Sequence, residues 1–207
     1  MKIGTLQKIG GYSLIFGSLL FVIYSICFQL MLPMSQIKTD YSALVQNANW
    51  IWISFVAFIG VILMIFGFLS VYSRIYVESG WIGFFGFLLV ELAYLFQACK
   101  VTWEIFIYPA ILSYQGSIPL LRDSILRHYP LVVGLRTAAD ITILLGIIFF
   151  CLAIIRSKVF PKLAGVFIFV GALLYGLGPI LSAPIAISGI CILSIGCFIL
   201  GIRLIRQ

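Results

Sequence analysis

Six stretches of mostly apolar residues follow one another along this chain, each close to the roughly 20 residues an α-helix needs to cross a bilayer. They run over 9–32, 50–73, 80–108, 130–155, 163–178 and 185–204. Hydrophobic residues make up 63% of the 207 and charged residues only 9%, against about a quarter charged in a soluble domain. Mean hydropathy is +1.22. In lipid every backbone N–H and C=O must find its partner inside the protein, and helices achieve this segment by segment. The expected fold is therefore all-α: one polytopic domain over 1–207 with six transmembrane helices. These spans leave no room for a soluble catalytic domain.

Lys2 and Lys8 precede the first apolar run in the manner of a signal peptide. That run is longer than the usual h-region of about 7–15 residues and has no small-x-small site before Pro33, so it reads as an uncleaved first helix. Lysine and arginine placement sets orientation. With both termini cytoplasmic, Lys2, Lys8, Arg74, Arg156, Lys158, Lys162, Arg203 and Arg206 fall inside, and only Lys38, Arg122 and Arg127 outside. The expected location is the cell membrane. The net charge of +7 then reflects topology and contact with anionic lipid rather than nucleic-acid binding, for which no soluble basic module exists. The five cysteines, Cys27, Cys99, Cys151, Cys191 and Cys197, all fall in spans without a C-x-x-C and read as small packing residues.

The first and fifth spans begin alike. Lys8-Ile9-Gly10-Gly11 matches Lys162-Leu163-Ala164-Gly165, and Gly17-Ser18-Leu19-Leu20 matches Gly171-Ala172-Leu173-Leu174. Gly80-Trp81-Ile82-Gly83 echoes them at the third. Gly67, Gly146 and Gly196 each precede a basic exit at Arg74, Arg156 and Arg203. The pattern suggests three helical hairpins in series, although shared use of Lys and Gly at helix starts would produce the same echo. Ala172/Gly176 and Cys197/Gly201 have small-xxx-small spacing, so the last two spans are expected to pack closely across a tight turn at Gly178-Pro179 and Ser182-Ala183-Pro184. Trp50, Trp52, Trp81 and Trp103 read as interfacial belt residues. In the first long loop, Asp40 precedes 41–45 as the cap of a short helix. In the second, Ile118, Leu121 and Ile125 share one face of a surface helix, which could also serve as a lid.

Charges at membrane depth cost several kcal/mol unless paired or hydrated, and mark functional sites by default. Lys100 and Glu104 lie one turn apart in the third span, and Arg136 and Asp140 one turn apart in the fourth. In antiparallel neighbours, residues at equal depth have a constant number sum. Lys100 with Asp140 and Glu104 with Arg136 both total 240. Measured from Tyr108 and Pro130, Glu104 and Arg136 lie roughly 6–9 Å deep, and Lys100 and Asp140 roughly 12–15 Å. A four-residue interhelical ion cluster is the expectation. Gln97 and Tyr108 share its side, Tyr94 extends the stripe and Thr137 adjoins it, which makes a polar seam opening outward. Such pairs can also be purely architectural. Glu91 points roughly 130° away from the stripe. Without a basic partner at its depth, it is a candidate proton carrier or a protonated hydrogen-bonding residue.

His128, the only histidine, lies in a loop, which excludes bis-histidine haem ligation and a His-rich zinc site. H-E-x-x-H, G-x-S-x-G and a P-loop are absent, as are the clustered acidic ligands of phosphate-handling lipid enzymes. No metal, cofactor or catalytic residue is expected, and the sequence argues against an enzyme.

Gly146 through Tyr175, with Arg156-Ser157 leading to Phe160-Pro161-Lys162-Leu163-Ala164-Gly165, resembles a hairpin of small six-helix bacterial membrane proteins of unknown function. The resemblance covers about thirty residues of turn and packing positions. It implies a six-helix fold and carries over no functional residue.

The leading expectation is a protein that binds or transports a small polar or charged molecule, with Lys100 and Arg136 holding an anionic group and Asp140 and Glu104 as resting counter-ions. The alternatives are a structural or regulatory membrane subunit that docks a partner through its charged helices, and an intramembrane lipid-modifying enzyme using Glu104 or Asp140 as general acid–base. Expected partners are the bilayer, a small polar ligand, and further copies or a membrane partner subunit.

Overall fold

The computed structural model describes residues 3–37, 39–123 and 125–206, without the side chains of Ile3, Arg127, Pro179 and Ile180. Lys2, Lys38 and the Arg127 side chain in the charge tally thus lie outside the described residues, as does the Pro179 side chain of the expected turn. Among the described residues every regular element is helical. The helices are α1 (Ile3–Met31), α2 (Tyr41–Val45), α3 (Trp50–Thr102), α4 (Tyr108–Leu112), α5 (Ile118–Arg122), α6 (Ile125–His128), α7 (Pro130–Ser157), α8 (Lys162–Leu181) and α9 (Ala183–Ile205). Four helical runs, Gly4–Met31, Trp50–Leu112, Pro130–Ser157 and Ala183–Ile205, are long and apolar enough to cross a membrane. Lys162–Gly178 is a shorter apolar helix. These helices are compatible with a membrane protein.

The long run α3 is broken at one residue. Gly80 has φ 53° and ψ −149°, outside helical space and in a region that side-chain-bearing residues rarely reach. The chain folds back there. Tyr72 stacks on Phe87 with centroids 4.3 Å apart and planes 6° apart, Phe68 meets Tyr94 at 5.6 Å, and Phe55 meets Phe106 at 6.5 Å. Residues before Gly80 form a first limb of α3 and those after it an antiparallel second limb.

Contacts between α1 and α3, α3 and α7, α7 and α8, α8 and α9, and α9 and α1 close the helices into a ring. Leu14, Met64, Ile154, Ile168, Leu200 and Leu204 are fully buried in it. Lipid gives no hydrophobic drive between helices, so contact must come from close packing. Small residues supply it. A Cβ on Gly171 would lie 2.3 Å from the Leu193 nitrogen, and one on Gly178 2.3 Å from the Ala186 Cβ. The tight α8–α9 hairpin is therefore present, but Gly171, Gly178, Gly189 and Gly196 make it. Gly176 faces open space, and Gly201 packs against Gly11 of α1. The spacing motif alone could not tell which face of each helix meets which neighbour. Gly17 and Gly171 both abut the helix that follows them, and Gly11 and Gly165 both abut the helix that precedes them around the ring. Ser194 Oγ donates to the Ser18 carbonyl at 2.8 Å, joining α9 to α1.

At one end of the ring lie the start of α1, Gly80, the α7–α8 connection and the end of α9; the opposite end carries the long loops. The short helix α2 forms as expected, with the Asp40 carboxylate accepting from the Ser42 and Ala43 amides at 3.0 and 3.3 Å. The second loop differs from expectation. It breaks at Asp123 into α5 and α6, burying Leu121 and leaving Ile125 50% exposed, so the three apolar residues do not share one helix face.

Candidate functional site

The second limb of α3 meets α7 through two glycines. Gly86 abuts Phe150, and Gly146 abuts Val90. Helical spacing carries the Gly86/Val90 stripe on through Ala93, Gln97, Lys100 and Glu104. The α7 side chains that approach it continue from Phe150 and Gly146 through Ile143, Ala139 and Arg136. The contact pairs total 236 rather than the expected 240. The second limb continues as helix to Leu112 instead of ending at Tyr108, and the glycine contacts set the register one turn away from end-to-end alignment. Lys100 therefore comes level with Arg136, and Asp140 lies a turn nearer the Gly80 end.

The expected interhelical ion cluster does not form. Lys100 Nζ instead lies 3.5 Å from Glu104 Oε1 within its own helix. No ion pair within 4.0 Å joins Arg136 or Asp140 to another described residue. Both are exposed, as is Thr137. The six residues 133–138 are all exposed, which covers every face of the helix, and a Cβ at Gly134 would meet nothing within 4 Å. At this level every face of α7 is left largely uncovered.

Glu104, by contrast, is buried. It lies in a π-helical turn over Trp103–Ile107, a local widening found often at functional sites. Its main-chain carbonyl accepts the Trp50 indole N–H at 2.8 Å. Trp50 is 1% exposed, so it is an internal anchor and not the belt residue its position suggested. The Glu104 side chain is 4% exposed against 48% for Lys100. Glu104 Oε2 is buried and has no hydrogen-bond partner. A buried carboxylate oxygen without a donor is costly, and native structures seldom leave one without a reason.

Three tyrosines lie within electrostatic reach of the pair: Tyr24 of α1, Tyr41 of α2 and Tyr175 of α8. Tyr108 packs edge-on against Tyr41 at 5.9 Å, and Tyr41 against Trp50 at 5.7 Å. An aromatic wall thus roofs the ion pair at the loop end. Lys100, Glu104, Gln97 and Tyr108 stay on one side of the second limb, Gln97 and Tyr108 half-buried. Tyr94 does not extend the stripe; it turns inward against Phe68 and Phe21. Glu91 is half-buried, with Oε1 buried and unpartnered, roughly 13 Å along the helix from Lys100. Sequence reasoning missed Tyr24, Tyr41, Tyr175 and Trp50. Lone aromatics in apolar stretches carry no periodic signal, and only the ring closure brings them to the pair.

Among the described residues, no group of three His, Cys, Asp or Glu could hold a metal ion. No protein-family profile matches the chain, and neither the curated proteins nor the solved structures give a match to it.

Proposed function

We propose that the chain crosses the membrane six times as three hairpins with both termini cytoplasmic, and binds a small polar or charged molecule at Lys100 and Glu104 for recognition or transport. Trp50–Leu112, at 63 residues, would measure about 95 Å as one straight helix, three times the hydrocarbon thickness, so the fold-back at Gly80 favours two spans there. The corresponding glycine contacts of α1 and α8 favour a repeat. Both hairpins containing them use the same position to meet the next helix.

One observation carries the binding reading: Glu104 Oε2 is buried without a donor beside a lysine that is half exposed. Lys100 and Arg136 at one level supply positive charge for an anionic group, and Glu104 Oε2 supplies an acceptor for a donor on the same molecule. Gln97 and Tyr108 add neutral hydrogen-bonding groups, and Asp140 is the counter-ion available to Arg136. Glu91 remains the candidate proton carrier. A thermal-stability screen of soluble anions, cations and zwitterions against wild type and Glu104→Gln tests the reading. A ligand that stabilises wild type and not the variant supports it; equal responses from both proteins contradict it.

The bare loop-end half of α7 favours a second reading, a regulatory subunit docking a partner helix there. Cross-linking from a cysteine placed at Leu135 separates the two, because a partner helix would be captured in native membranes and a small molecule would not.

A further inference from the structure

We infer that the junction between α7 and α8 is a seam that the charge of Asp140 holds open, and that it closes when this charge is neutralised. The inference stands apart from the ligand reading. Its closed form is visible in the same molecule, at the junction between α9 and α1. A Cβ on Gly11 of α1 would meet the Gly201 carbonyl oxygen at 2.7 Å and Ile205 Cγ1 at 2.8 Å. One on Gly165 of α8 would meet the Cys151 carbonyl oxygen at 3.2 Å and Ile155 Cγ1 at 2.9 Å. The same atoms at the same spacing set one register at both junctions. Seven residues nearer the loop end, that register puts Ser194 opposite Ser18 in the first junction and Leu144 opposite Ala172 in the second. One turn further on, it puts Ile190 opposite Val22, and Asp140 opposite Gly176.

Beyond the shared anchor the two junctions differ. The first stays packed: Ser194 Oγ donates to the Ser18 carbonyl at 2.8 Å, and Ile190 is 4% exposed. The second does not. Leu144 is 47% exposed, Asp140 is exposed, and a Cβ on Gly176 would meet nothing within 4 Å. Ala172 and Gly176 share the stripe of Gly165, so their small-xxx-small surface continues an existing contact and lies unused. In this half of α7, Thr142 Oγ1 donates back to the Ala138 carbonyl at 2.6 Å, a bond of the kind that bends helices. At the level of Gly176 the sequence then has a carboxylate where the closed junction has an isoleucine. Closure would bury that carboxylate against alanine and glycine, which bring no charge to meet it. Arg136, one turn away on α7, makes no ion pair with it within 4.0 Å. Burying an unpaired charge is costly, so the seam stays open. Neutralised, residue 140 can seat against Gly176 as Ile190 seats on α1.

The test is disulfide formation in the full-length protein in native membranes. Leu144→Cys/Ala172→Cys reports the seam, Ser18→Cys/Ser194→Cys reports the closed junction, and the four single variants give the background from native cysteines. The seam pair is expected to form about tenfold more slowly than the reference pair. Asp140→Ile, which installs the residue of the closed junction, should bring the seam pair close to the reference rate. Asp140→Asn removes the charge and keeps the shape, and should give most of the same gain. Asp140 is exposed, and an unchanged reference rate in each variant checks that the fold is intact. A seam pair as fast as the reference before either substitution shows a junction already closed and overturns the inference. A seam pair that stays slow with Asp140→Ile shows that the rest of the fold holds the seam open, and overturns it too. A gain with isoleucine and none with asparagine assigns the effect to shape and overturns the role of the charge.

Discussion

The indole nitrogen of Trp50 donates to the main-chain carbonyl of Glu104 across 54 residues of sequence, at 2.8 Å. The π-helical turn that contains Glu104 leaves this carbonyl accessible, and the first limb of α3 supplies the donor that satisfies it. Fold and site thus meet at one bond, which ties the backbone of Glu104 to the first limb of α3. Trp50→Phe keeps most of the buried volume and removes the donor. The expected loss is about 1–3 kcal/mol, the cost of a buried carbonyl left without its partner. Thermal unfolding in detergent measures it, and an unchanged midpoint would mean the bond is dispensable.

Lys100 and Glu104 differ in burial, and their substitutions should differ in consequence. Lys100→Met leaves a carboxylate that is 4% exposed without its cation. Breaking a buried pair costs about 3–5 kcal/mol, here reduced to about 1–3 because Lys100 is half in solvent and screened. Glu104→Gln leaves only a half-exposed lysine, which water can serve, and should cost less. The ordering is read from unfolding midpoints of the two variants, and the reverse order would contradict the burial asymmetry.

Gly80 is the hinge between the limbs. Its φ of 53° with ψ −149° is open only to glycine, so Gly80→Ala should destabilise by about 1–3 kcal/mol although a Cβ there would touch nothing. Gly134→Ala is the matched control: Gly134 is helical with open space around it, and alanine should stabilise by about 0.5–1 kcal/mol. Equal effects at the two positions would show that the fold-back places no demand on the backbone.

Gly171 and Gly176 lie on the same helix, and only the first touches α9. Gly171→Ala would set a Cβ 2.3 Å from the Leu193 nitrogen and should cost about 1–3 kcal/mol or separate the hairpin. Gly176→Ala should be neutral or slightly stabilising. Comparing cross-linking yields between α8 and α9 in the two variants checks this directly.

The helical class and its apolar segments were legible because hydrophobic run length is a local property of the chain. So were the Asp40 cap and the closeness of α8 to α9. Register was not legible. Aligning helix ends at Tyr108 and Pro130 placed Lys100 opposite Asp140, whereas the Gly86 and Gly146 contacts, invisible until the faces are known, bring it level with Arg136. The pairing of charges failed for the same reason. Opposite signs at matched depths were available in the sequence, but Lys100 found its partner one turn along its own helix, and α7 stands clear at that depth. The tyrosines around the pair come from α1, α2 and α8, elements whose convergence depends on how the ring closes.

Native mass spectrometry of the protein extracted from its own membranes, compared with the Lys100→Met/Glu104→Gln double variant, tests the central claim most directly. The double variant removes both charges together and leaves no buried ion behind. The account predicts a bound small molecule or lipid on wild type that is missing from the folded variant. An empty wild type, or the same adduct on both proteins, would contradict it and leave Lys100 and Glu104 as architecture.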